Sequence, residues 1–176
     1  MTQFFEILKY ILPALIVFIT VYYTMKQYLN SQYNLQYLKN QNKNAEQNIP
    51  IKLQAYERLL LLMERIRLTN LVFRLRSSDM NVKELTASLL ISIQKEFEHN
   101  QAQQLYVSSN LWNIIKLAKE NVQNIISESS TKFPETENSG NLANMLMMIE
   151  KGQNKSSVDV AIEAIKKEAQ LILKTP

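Results

Sequence analysis

The residue types best suited to chemistry lie in EFEHNQAQQ (96–104), which gathers Glu96, Glu98, His99, Asn100, Gln103 and Gln104. On a helix, residues three apart share a face, so Glu96 and His99 can point the same way. Glu-x-x-His is half of the ligand set that helical bundles use for a pair of carboxylate-bridged metal ions. The other half is a second Glu-x-x-His, and His99 is the only histidine in the chain. A second copy of the chain could supply one, but further helical glutamates would still be needed, so no metal site is expected. General-base work by His99 beside Glu98 lacks a nucleophile and a substrate-shaping loop. No catalytic residue and no cofactor are assigned. Two readings remain for the six residues. They form a polar layer inside a bundle, hydrogen-bonded to Arg58, Arg65, Tyr56 or the next helix and fixing its register, or they form a face that accepts a protein partner.

Composition narrows the remaining chemistry. Two glycines in 176 residues leave no room for phosphate-cradling loops, dinucleotide turns or a nucleophile elbow. The absence of cysteine removes disulfide frameworks, thiolate metal sites and cysteine nucleophiles. A net charge of +4, from 20 basic and 16 acidic residues, is too small and too scattered to demand nucleic acid. Even the densest basic stretch, Arg58, Arg65, Arg67, Arg74 and Arg76, is interleaved with Glu57 and Glu64, as on a solvated helix face.

The elements that must position these residues begin with a membrane anchor. Residues 10–25, YILPALIVFITVYYTM, carry no charge between Lys9 and Lys26. Extended back to Phe4, the run spans about 33 Å as a helix, enough for a hydrocarbon core of ~30 Å when Glu6 and Lys9 reach the headgroups. Phe4, Phe5 and Tyr10 at one end and Tyr22 and Tyr23 at the other suit interfacial belts. Pro13 is tolerated in a membrane helix. The rival, a cleaved signal peptide, needs small residues at its exit, and TVYYTMKQY (20–28) offers no such pair. The lipid bilayer is therefore the expected partner of residues 4–25. Lys26, Lys39 and Lys43 outweigh Lys9, offset by Glu6, so the bulk of the chain is expected in the cytoplasm.

Past this anchor (1–26) the pattern is helical throughout, giving an all-α class: an N-terminal transmembrane helix followed by a small bundle of about four helices. Residues 27–49 read as a polar juxtamembrane helix or spacer that Pro50 ends, since the residue before proline is pushed out of helical geometry. Residues 50–128 hold the expected bundle core. Leu53, Tyr56, Leu60 and Met63, with Ala55, Leu59, Leu62 and Ile66 beside them, recur at helical spacing. Ser77-Ser78-Asp79 reads as a turn, and Asn81 with Glu84 as a capping box opening a helix with Val82, Leu85, Leu89, Leu90, Ile93 and Phe97 on one side. Ser108 or Ser109 caps the next, which carries Leu111, Ile115, Ala118, Val122 and Ile126. SSTKFPETENSG (129–140) has the composition of a flexible linker. In the C-terminal segment 141–176, Met145, Met147 and Met148 fill a core edge or offer an adaptable surface. Ser156 with Asp159 caps a last helix that must dock on its own bundle or on a second copy.

The order of one N-terminal span, PIKLQAYERLLLLMERI (50–66), EFEHNQAQQLYVS (96–108) and WNIIKLAKE (112–120) resembles a family of uncharacterised bacterial single-span membrane proteins, over residues 1–128 in arrangement. The resemblance implies that architecture and a bacterial inner-membrane setting, and it carries over no catalytic residue. The function expected is a non-enzymatic adaptor or scaffold that holds a protein partner at the inner membrane, with a homo-oligomer open. The alternative is a structural component similar to the membrane-tethered b subunit stalk of rotary ATP synthases. Pro50 and the 129–140 segment speak against the long unbroken helices of such a stalk.

Overall fold

The computed structural model describes residues 2–152 and 154–174, with side chains described for 15–33, 35–36, 49–152 and 154–173. Among the described residues the chain is helical, with no strand and one isolated antiparallel bridge, Asn81 to Asn138. It divides into two compact units, residues 1–48 and 49–176.

The first unit lies within helix α1, Thr2–Ile66. Every described side chain from 15 to 33 is exposed, Phe18 at 72% and Tyr23 at 66% among them. Two hydroxyls on this apolar surface turn back onto the helix, Thr20 Oγ donating to the Ile16 carbonyl and Thr24 Oγ to that of Thr20. Tyr22 and Tyr23 pack edge to face with ring centres 5.9 Å apart. Among the described residues no helix is long and apolar enough to cross a membrane. The side chains of 4–14, where the anchor read from sequence begins, lie outside the described residues, as do those of 37–48 in the expected spacer.

Pro50 does not end a helix. It lies inside the span of α1, although the division between the units falls just before Ile49. A proline in a helix removes only its own N–H and strains one preceding carbonyl, which is a local weakness rather than an obligatory stop.

The second unit is built on one core. Residues 49–66 of α1 contribute Ala55, Tyr56, Leu59, Leu62, Met63 and Ile66, all buried, which are the expected stripes minus the half-buried Leu53 and Leu60. Arg67 alone leaves helical geometry, at ψ 130°, and α2, Leu68–Leu75, starts at once. After the turn at Ser77, α3 (Val82–Asn100) opens with the expected capping box: Glu84 N–H donates to Asn81 Oδ1 at 2.9 Å and Asn81 N–H to the Glu84 carboxylate at 3.1 Å. Its buried row of Val82, Leu85, Leu89 and Ile93 faces the core, with Leu90 and Phe97 at the edge. A 3-10 turn, Gln101–Tyr106, leads to α4, Ser109–Ser130, capped by the Ser108 hydroxyl, which accepts the Leu111 N–H.

The segment read as a linker is hydrogen-bonded into the bundle. Val82 and Lys83 donate their N–H groups to the carbonyls of Glu137 and Glu135, and Ser139 donates to Met80. These bonds lead into α5, Gly140–Gly152, whose Leu142, Ala143 and Leu146 enter the same core. Met147 packs at its edge, while Met148 is exposed. The last helix, α6 (Ser157–Lys174), is opened by the Ser156–Asp159 box and docks chiefly along α4. Its Val158, Ala161, Ile162 and Ile165 join the core, so α5 and α6 pack into the same core as residues 50–128.

Candidate functional site

Helical spacing brings a row of α1 and a row of α3 to the same side of the bundle. Leu61 and Arg65 are four apart on α1, and Ile91 and Lys95 are four apart on α3, so each row places an apolar side chain one turn before a cation. Between them lies an open depression of about 630 Å³, lined by Arg65, Leu75, Ile91, Lys95, Glu96 and His99. A second, of about 410 Å³, adjoins it through Arg65 and is bounded by Leu61, Glu64, Asn70, Phe73 and Arg74. A small third hollow joins Arg58 and Asn100 to the same surface. Arg65 borders all three.

Electrostatics across this groove are uneven. The Glu96 carboxylate lies 3.2 Å from Arg65 and 3.9 Å from Arg74, and its side chain is only 17% exposed against 57% for Arg65. Arg74 also donates to Ser92 Oγ at 3.2 Å. One sunken carboxylate therefore serves two outward guanidiniums. Arg58 and Lys95 make no ion pair among the described residues, and Glu64, at the rim, is engaged by Arg67.

The structure separates the six residues singled out in the sequence. Glu96 and His99 face the groove, as three-residue spacing requires. Asn100 is buried, and its Nδ2 donates to the Glu96 carbonyl at 2.8 Å. Glu98 points elsewhere and accepts from Gln94 at 2.7 Å. Gln103 is half-buried and Gln104 exposed, both in the 3-10 turn. The six do not form one layer, because the helix ends at Asn100 and the turn after it redirects the chain. Among the described residues no three His, Asp or Glu side chains converge where a metal ion could sit.

Two polar knots are absent from the sequence reading. Arg67, at the α1–α2 break, meets three carboxylates: Glu64 at 3.1 Å, Asp159 at 2.9 Å and Glu150 at 3.5 Å. Burial works to lower the Arg67 pKa, but the hydrogen bonds it donates to Asp159 and Glu64 outweigh it and hold the guanidinium charged. Burial likewise works to raise the Asp159 carboxyl. The Ser156 cap bonds and Arg67 overcome that and keep it below the usual carboxylate range. Glu150 also accepts the Thr69 N–H at 2.6 Å, giving α2 the cap that Arg67 cannot supply. In the second knot, Glu168 of α6 accepts from Tyr56 Oη at 2.9 Å, from Ser108 N–H at 2.8 Å and from the Ser108 hydroxyl. Burial, and then the hydrogen bond to Glu168 and that carboxylate's charge, push the Tyr56 phenol well above its ordinary value. Both knots fasten α6 to the bundle. Capping-box spacing marks Asp159 in the sequence, but nothing marks Glu150 or Glu168.

A model of a family of unknown function, DUF7935, matches residues 2–172, which reaches from the first unit into α6. The chain belongs to that family. The match extends past the 129–140 segment into α6, in keeping with a C-terminal helix that shares the common core. No curated protein and no solved structure is significantly similar to the chain.

Proposed function

We propose that this DUF7935 chain is a single-span, non-enzymatic adaptor that holds a protein partner at a membrane. The setting proposed is the bacterial inner membrane, with the bundle on the cytoplasmic side. The observation that carries the reading is the uncovered apolar surface of residues 15–25, where Leu15, Ile16, Val17, Phe18, Ile19 and Val21 are all exposed. A helix apolar on every side needs an apolar surrounding. Ile7, Leu8, Ile11, Leu12 and Ala14 extend the run toward the N-terminus. The inward-turned hydroxyls of Thr20 and Thr24 suit a medium that offers no water to bond. The single core of the second unit favours a compact platform over the stalk reading.

Alkaline carbonate washing of native membranes tests the anchor. The full chain stays in the pellet, and an Ile16→Glu, Ile19→Lys variant moves to the supernatant. A wild-type chain that washes off contradicts the proposal.

A further inference from the structure

We infer that the groove centred on Arg65 receives an amphipathic helix of a partner protein whose apolar stripe is flanked by Asp and Glu. This names the partner class within the adaptor reading and rests on it. Three observations favour that occupant. The first is charge: Arg58, Arg65, Arg74 and Lys95 border the joined depressions against two carboxylates, Glu96, which is sunken and shared between two of the four, and Glu64, which is paired with Arg67. The surplus is positive and points outward. The second is the apolar content, with Leu61 49%, Phe73 76% and Ile91 55% exposed among those cations. Arginine alternating with large uncovered apolar groups is the composition of an interface anchor. The third is period: Leu61 to Arg65 and Ile91 to Lys95 repeat the same apolar-then-basic step over one helical turn, the complement of a helix bearing apolar groups and acids at i and i+4.

Other anionic occupants fit less well. A nucleic-acid backbone would set phosphates against Leu61, Phe73 and Ile91 and over the Glu96 carboxylate. A bilayer surface is flat on this scale, and it would leave depressions of about 630 and 410 Å³ unfilled. A helix of ~10 Å diameter fills such a groove.

The test is photo-crosslinking in living cells with a photoreactive phenylalanine at position 73 of the full chain, scored on carbonate-washed membranes. The expected adduct is a protein segment with an apolar helical stripe flanked by acidic residues. Its yield falls by about tenfold in an Arg58→Glu, Lys95→Glu variant. Both side chains are exposed and neither has an ion pair among the described residues, so the variant is expected to keep its fold, checked by the near-ultraviolet dichroism of Trp112. A yield unchanged by the reversal, an adduct to lipid, to nucleic acid or to a basic segment, or no adduct at all overturns the inference. Retention of the chain in the washed pellet is read separately. A chain that pellets without a Phe73 adduct leaves the anchor standing and removes the groove's assigned partner, whereas a chain absent from the pellet removes the anchor.

Discussion

Glu168 is the side chain on which most depends at the residue scale. Its carboxylate holds Ser108, which caps α4, and the Tyr56 phenol together, so Glu168→Ala leaves a buried hydroxyl without its acceptor and unties the exposed Ser108 from α6. The expected loss is about 1.5–3 kcal/mol, the range for hydrogen bonds to a charged group. Tyr56→Phe, which leaves Ser108 served, costs about 1 kcal/mol. Urea unfolding followed through Trp112, the only tryptophan, measures both. The pH response carries opposite signs at its two ends. Asp159 is held below its ordinary 3.8, so its contribution is complete above that value and is lost as pH falls below it. The stability gap between wild type and Asp159→Asn is therefore flat from about pH 5 to about pH 8 and closes in acid. Tyr56 is raised above its ordinary 10.0, so the folded form prefers the neutral phenol. Stability drops as pH rises past that value, and Tyr56→Phe lacks this alkaline decline.

At the scale of the elements, the caps are local and were therefore readable. Asn81 with Glu84 and Ser156 with Asp159 each satisfy a helix start from within four residues, and the structure contains both. Asn81→Ala is expected to cost about 1 kcal/mol, measured as a shift in unfolding midpoint, and to raise hydrogen exchange across the first turn of α3. The apolar rows of α3 and α4 were legible for the same reason, since period 3.6 is written in adjacent residues. What was not legible depends on which helices meet. Arg67 and Asp159 are 92 residues apart, and Tyr56 and Glu168 are 112 apart. No local spacing encodes either pairing. Pro50 and the 129–140 segment were misjudged from composition. A proline can sit within a helix, and Pro134 and Gly140 lie in or beside a loop that the main chain of Met80, Val82 and Lys83 holds in place. Of the candidate site, Glu96, His99 and Arg65 were named from sequence, and Arg74 only as part of a scattered basic stretch, while Phe73 was not named; the break at Arg67 sets α2, which carries both, beside the end of α1.

For the whole molecule, the second unit's single core makes its stability indivisible. Leu89→Ala, at a fully buried position in the common core, is expected to cost about 3 kcal/mol and to raise exchange in α5 and α6 as much as in α3. Phe73→Ser, on the groove surface, changes stability by less than about 0.5 kcal/mol. The central claim, that residues 4–25 sit in a bilayer and the bundle stands outside it, is tested most directly by thiol labelling. The chain has no cysteine, so one introduced residue reports alone. Phe18→Cys and Met148→Cys variants are treated, in sealed inverted membrane vesicles, with a membrane-impermeant maleimide. The account predicts that the thiol at position 148 reacts at once and that at position 18 reacts only after detergent is added. A thiol at position 18 that reacts as fast as that at position 148 in sealed vesicles would contradict it.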